Sequence, residues 1–300
     1  MRTGILATLA TASLVAAAPL AKRNNTAPAK ENIDAVVLNF ALTLEHLEAA
    51  FYKKGLETFS ADDFASADFP DWVRYRLSEI SSHESAHVKF LTGALEAAGA
   101  KAAAACTYDF SLATSPAAFI AVAQQLEGVG VSAYAGAAKL ITNPDYLTYA
   151  ADVLAVEARH SAWIRGGAQN GDSFPQAFDT NLGINEVYTL AAQFIKECPS
   201  DNPALPVKAF PTLKASALSE DGKVTLSYDG DVSGKFALFL MATGQTAVAV
   251  GSDGSVAVPE GMYGQQYVIL ASSNATLSDD IVVAGPAIVE VPFQATEVPY

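Results

Sequence analysis

Two patterns in this chain each occur twice, and their order constrains the fold more than any other feature. LEHLEAAFY and LEGVGVSAY each set a glutamate seven residues before a tyrosine, Glu45 with Tyr52 and Glu127 with Tyr134. HESAH and VEARH each set a glutamate three residues before a histidine, Glu84 with His87 and Glu157 with His160. Along the chain the order is Glu-x6-Tyr, Glu-x-x-His, Glu-x6-Tyr, Glu-x-x-His. Separations of three and seven residues keep side chains on one face of an α-helix. The pattern therefore reads as a duplicated helical hairpin, each half offering one lone carboxylate and one carboxylate–imidazole pair.

Punctuation supports four long helices and a short fifth. Asn32 can cap a first helix running to Gly55, and Pro70–Ala98 reads as a second helix ended by Gly99. Ser115-Pro116 and Asn143-Pro144 are each an N-cap followed by proline at the first helical position, giving helices over about 116–141 and 144–166. A shorter helix is expected near Ile184–Lys196. Such a set forms a bundle.

The helix after Ser115 is the most informative. From Ser115 to Ile141 its only formally charged residues are Glu127 and Lys139, so it should be buried all round. Glu127 must then be protonated, metal-bound, or paired with a cation such as Arg159 or Arg165. The neighbouring motifs favour metal. Two lone glutamates and two Glu-x-x-His pairs projecting into a bundle form a dimetal carboxylate site. Four carboxylates neutralise two divalent cations, and one imidazole each completes an oxygen/nitrogen shell suited to iron or manganese.

HESAH also spells H-E-x-x-H, the helical zinc-peptidase motif. A metzincin continuation would need glycine at Phe90 and histidine at Gly93. The same Glu-His spacing recurs at 157 and 160 with no preceding histidine, so the repeated unit is Glu-x-x-His. His83 is left to touch a ligand or lie on the surface. Glu48 shares Glu45's face and either supports it, substitutes for it as a ligand, or is solvated. Tyr52 and Tyr134 are read as partners of the ligands or as core aromatics. Asp152 is read as surface, and Trp72 and Trp163 as packing residues.

The bundle resembles the ferritin-like superfamily through LEHLEAAFY, HESAHVKFL, QLEGVGVSAY and AVEARHSAW. It is more closely similar to secreted ferritin-like proteins of fungi linked to stress response or late sexual development, with kinship to plant desiccation-related proteins. The resemblance covers about residues 32–210. It implies metal ligation by Glu45, Glu84, His87, Glu127, Glu157 and His160, two iron or manganese ions as cofactors, and dioxygen or peroxide as a partner. A non-enzymatic extracellular stress or developmental protein, with a structural metal site, is the alternative.

The remaining segments place this bundle in a longer plan. Arg2, the apolar run Ile5–Ala17 and the small residues Ala16–Ala18 read as a signal peptide over 1–18. Lys22-Arg23 suggests a processed segment over 19–31. Secretion to the extracellular space or cell wall is expected, with the lone pair Cys106 and Cys198 bridged and Asn24 and Asn274 as glycan acceptors. The helical domain spans 32–198 and the proline-rich PSDNPALPVKAFP a linker over 199–212. Short strand-like runs from 213 to 300 read as a small β-sandwich, a candidate wall- or protein-binding module. The fold class is thus α+β in two domains. A formal charge of −14 argues against a nucleic-acid partner, and no segment is read as transmembrane.

Overall fold

A computed structural model describes residues 32–292; the signal-peptide and propeptide readings and Asn24 fall outside the described residues. Four long helices make the bundle: α1 (Ile33–Thr58), α3 (Asp71–Ala97), α4 (Pro116–Ala137) and α5 (Pro144–Trp163). Both serine/asparagine–proline starts act as expected. The Ser115 side chain accepts from the Ala118 N–H, and the Asn143 side chain from the Asp145 N–H. Gly99 takes φ +71° just past α3, and Ala100 donates back to the Leu95 carbonyl, closing that helix end. Asn32 stands at the start of α1 but makes no capping hydrogen bond. The neighbouring Asp34 instead accepts from the Thr142 N–H and hydroxyl, tying α1 to the α4–α5 connection.

Three expected helix ends shift, and one short helix is added. Gly55 does not end α1, which continues to Thr58, because the missing side chain is filled by the ring of Phe119. A short helix α2 (Ala61–Ser66) follows, held by a capping box between Ser60 and Asp63 that the stretch SADD already spells. After Trp163 the chain continues in a π-helical turn, Ile164–Ala168. The fifth helix, α6 (Ile184–Ala192), stops short of Lys196. Its expected last turn is strand β2 (Ile195–Glu197), paired with β1 (Thr107–Tyr108), and this ribbon brings Cys198 to Cys106 in a disulfide.

The Gly55 contact yields a prediction in which two effects oppose each other. Gly55→Ala should gain about 1 kcal/mol of helix propensity. The new methyl would overlap a fully buried ring wedged between Phe51, Tyr52 and Phe59, and such overpacking costs roughly 1–3 kcal/mol. We expect net destabilisation of up to about 2 kcal/mol by chemical denaturation; a more stable variant would show that the ring can move aside.

The second half is an antiparallel β-sandwich. One sheet holds β3 (Lys214–Ala215), β4 (Lys223–Ser227) and β7 (Ser255–Ala257). The other is ordered β6 (Gly244–Ala249), β5 (Phe236–Met241), β8 (Gly264–Ala271), β9 (Val282–Val291). The ten residues of β9 make it the longest of these strands. Val224, Leu226 and Val256 of the small sheet pack against Phe239, Val268 and Leu270 of the large one.

The large sheet is covered on its other face as well. Leu238, Leu240, Tyr267 and Ile269 join the same core as Leu126 and Val129 of α4 and Leu190 of α6. That explains why FALFLM and YVILA are continuous apolar runs and not alternating ones. Polar groups fix the docking. Tyr267 donates to the Gly128 carbonyl and lies 2.9 Å from the Ser132 hydroxyl. Arg165 forms a two-point ion pair with Glu290 at 2.6 and 3.1 Å. The proline-rich segment contributes Leu205 and Val207 to the same core. No helix among the described residues is long and apolar enough to cross a membrane.

Candidate metal centre

The seven-residue spacing sets each tyrosine roughly 10 Å along the helix from its own glutamate. The bond it makes is therefore to the other hairpin. Because α1 and α4 run antiparallel at the contact, Tyr52 donates to Glu127 and Tyr134 donates to Glu45. Between these two bonds the inward faces of α3 and α5 deliver their glutamate–histidine pairs.

All six residues of the duplicated pattern meet there. Glu45, Glu84, Glu127 and Glu157 are each 0% exposed, and His160 is 6%. His87 Nδ1 stands 3.1 Å from Glu45, 3.2 Å from Glu84 and 3.3 Å from Glu157. His160 Nδ1 stands 3.1 Å from Glu84 and 3.2 Å from Glu127. Their donor atoms form two sets, Glu45–Glu84–His87–Glu157 and Glu84–Glu127–Glu157–His160, each within a 4.8 Å span. Glu84 and Glu157 belong to both.

His83 belongs to neither set. Its exposed ring stacks on His160 at 5.2 Å, with Nδ1 2.9 Å from His160 Nε2, so it holds the outer nitrogen of that imidazole. HESAH therefore does not converge its two histidines on one point as a zinc-peptidase helix would. His46 is also turned away, with Nε2 against the Ala103 carbonyl. Arg159 and Asp152 are exposed, and Arg165 is committed to Glu290, so none of them meets Glu127. Trp72, 47% exposed, is less a packing residue than expected and touches Trp163 edge-on.

Glu48 is the residue that sequence reasoning weighed least well. It is buried at 4% exposure, not solvated. The signal lay in the repeat: the position three after Glu45 is Glu48, and the position three after Glu127 is Gly130. A Cβ at Gly130 would stand 2.7 Å from Glu157 Oε2 and 3.1 Å from Glu48 Oε1. The second half thus gives up its side chain where the first half inserts a fifth carboxylate.

Among the described residues no lysine or arginine pairs with any of these five glutamates. Even two full imidazolium charges would leave a deficit. Like charges 4 Å apart repel by about 4 kcal/mol at an effective dielectric of 20. Protons are correspondingly retained. Burial, then the neighbouring carboxylates, push Glu48 and Glu157 well above the carboxylate range. Burial also raises Glu127, and raises Glu45 to about 7. Burial works to raise Glu84 too, but His160 and His87 outweigh it and hold Glu84 at about 2. Burial opposes charge on both imidazoles, yet the surrounding carboxylates lift His87 to about 12 and His160 to about 9. Glu157 Oε2 has no hydrogen bond and no imidazole beside it, while Glu157 Oε1 and Glu84 Oε1 meet only an imidazole nitrogen, at 3.3 and 3.1 Å, outside hydrogen-bonding geometry. Buried carboxylate oxygens left so are costly without a cation. An all-oxygen-and-imidazole donor set of this kind fits a divalent metal such as iron or manganese.

These shifts fix the sign of a pH effect on the metal-free protein. Glu84, held low, contributes stability above the ordinary carboxylate range and loses it as pH falls toward 2. The raised groups contribute below their ordinary values and lose that contribution with rising pH, through about 7 for Glu45, 9 for His160 and 12 for His87. The melting temperature of chelator-treated protein should fall between pH 5 and pH 9, and saturating metal should flatten the slope. A metal-free profile that rises over this range would contradict the arrangement.

A bundle of four long helices enclosing duplicated carboxylate and carboxylate–imidazole elements defines the ferritin-like class. The family model described as "Ferritin-like domain" matches residues 33–170, and that part of the chain is a ferritin-like domain. Over 176 residues the chain is 27% identical to Protein rds1 of the fission yeast Schizosaccharomyces pombe, a match covering 59% of this chain and 42% of rds1. The chain thus spans about two fifths of that curated relative's length. Among solved structures it is similar to a conserved hypothetical protein of Mycobacterium tuberculosis, with a TM-score of 0.38 and 19% identity over 45% of this chain and 97% of that one.

Proposed function

We propose that the bundle holds two divalent cations, iron or manganese, in its carboxylate cluster, and that the protein performs oxygen- or peroxide-linked redox chemistry outside the cell. Glu45 and His87 would serve one ion, Glu127 and His160 the other, with Glu84 and Glu157 shared between them. The observation that carries this reading is a set of five buried carboxylates with two imidazoles and, among the described residues, no lysine or arginine to balance them. Iron or manganese would supply the exchange of electrons with dioxygen or peroxide, as in a ferroxidase, a peroxidase or a catalase-like enzyme.

The chain's own residues set the conditions for that chemistry. Tyr52 and Tyr134 hold the two lone glutamates by donating to them. His83 holds the outer nitrogen of His160. Glu48 is a fifth carboxyl buried beside the cluster, and in the metal-free protein burial and the neighbouring carboxylates raise its proton affinity.

Secretion is supported by the Cys106–Cys198 disulfide and the signal-like N-terminal sequence, and Asn274 is exposed where a glycan could be attached. A role in stress response or development rests on the resemblance to fungal proteins. A cell-wall or protein partner of the β half would meet the three-stranded sheet or its loops, since the bundle occupies one face of the other sheet.

Elemental analysis of the protein purified from its secretory route, without added metal, tests the proposal. Two equivalents of iron or manganese per chain are expected. One equivalent of zinc, or no metal even after anaerobic loading, would refute it.

A further inference from the structure

The crevice between the bundle and the β-sandwich has a volume of about 340 Å³ and reaches the carboxylate cluster. Glu48 and Gly130, both buried, are part of its lining. Gly130 is also the point from which Glu157 Oε2 and Glu48 Oε1 are 2.7 and 3.1 Å away, measured from where a Cβ would stand. One glycine is thus all that separates this crevice from the carboxylate shared by both donor sets. The walls are apolar and come from both halves: Leu47 of α1, Val129 of α4, Ala191 of α6 and Leu213 ahead of β3. The rim is different. Gln125, Gln193 and Lys214 are exposed there, and Lys214 is the one cation among the described residues that line it.

We infer that this crevice is a binding pocket for a small monocarboxylate with an apolar body, seated with its acid group at Lys214 and its apolar end against Glu48 and Gly130. The orientation follows from charge. In the metal-free protein an anionic head inside would face Glu48 and, behind it, four more buried carboxyl groups that two imidazoles do not balance, whereas at the rim it meets an ammonium group and water. The size follows from volume. A cavity of about 150 Å³ lined by aliphatic residues holds a benzene ring, so this one takes a body of roughly twelve carbons. The lining pattern is that of a ligand site, mostly apolar with a few polar groups fixing orientation. The β-sandwich acquires a role by this placement: Leu213 and Lys214 supply the wall and the charge that the bundle alone lacks. That the bound molecule lies next to metal rests on the reading proposed above; that the pocket binds it does not.

The test uses the full-length chain and anilinonaphthalene sulfonate, a fluorescent probe with an apolar body and one anionic group. One saturable site is expected in the metal-free protein, with decanoate displacing the probe at least tenfold more effectively than decanol. Lys214→Glu, at an exposed position, should weaken decanoate about tenfold, and Ala191→Phe should abolish probe binding while leaving the circular dichroism unchanged. If Ala191→Phe does not fold, Lys214→Glu decides. Absence of probe binding, or binding indifferent to Lys214→Glu, overturns the pocket. In a separate arm, decanoate should alter the electron paramagnetic resonance spectrum of Mn²⁺-loaded protein. An unaltered Mn²⁺ spectrum with decanoate bound overturns the link to the centre. Failure of Mn²⁺ to bind counts against the metal reading, and the probe titration still decides the pocket.

Discussion

Glu157→Gln is expected to empty the metal centre and, at the same time, to make the metal-free protein more stable. Glutamine keeps the shape of the side chain and removes its charge. Glu157 belongs to both donor sets, so losing its carboxylate should take bound metal from two equivalents per chain to nearly none. In the metal-free fold the same carboxylate is 0% exposed, has no hydrogen bond on either oxygen, and lies among other glutamates that push its proton affinity up. A neutral amide ends that repulsion and gains two donors facing carboxylate acceptors. A stabilisation on the order of 1–3 kcal/mol at pH 8 is expected, because a neutral side chain removes the desolvation and like-charge repulsion that raise the proton affinity of Glu157. Elemental analysis and thermal melts of chelator-treated protein read the two effects separately. Metal retained at wild-type level would remove Glu157 from the centre. A less stable metal-free variant would mean that its contact with His87 is a structural ion pair.

Removing the disulfide should do the reverse, lowering stability while leaving the centre filled. Cys106 and Cys198 close a loop of 92 residues containing α4, α5 and α6. Restricting so long a loop in the unfolded chain is worth up to about 4–5 kcal/mol, and loss of a native disulfide typically costs about 2–5 kcal/mol. Cys106→Ser/Cys198→Ser should fall in that range by denaturant titration. The bond ties the β1–β2 ribbon, not the cluster, and the cluster-facing sides of α1, α3, α4 and α5 are held by Tyr52, Tyr134 and the apolar core. Metal stoichiometry should therefore stay at the wild-type value. Loss of metal together with stability would show that the ribbon helps to set the spacing of the bundle.

Helix starts were legible because they are local. Ser115-Pro116 and Asn143-Pro144 work through hydrogen bonds that close within three residues of the cap. Helix and strand ends were harder, because distant parts of the chain decided them. Gly55 looked like a terminator, and Phe119 from another helix filled its place. The end of α6 looked helical, and pairing with Thr107–Tyr108 drew it out into a strand. The continuous apolar runs of β5 and β8 did carry a message, a sheet covered on both faces, but not the identity of the cover.

The same division runs through the site. The sequence by itself determined that Glu45, Glu84, His87, Glu127, Glu157 and His160 would project in matched pairs from four helices, because separations of three and seven residues fix a common face whatever surrounds the helix. It also fixed that Glu127 would be buried, since its helix has almost no other charge. Tertiary structure alone decided that each tyrosine serves the opposite hairpin's glutamate, that Arg165 is spent on Glu290, and that Glu48 turns inward over Gly130. Those outcomes depend on which residue lies across the interface. Helical periodicity specifies where a side chain points, and only packing specifies what it meets.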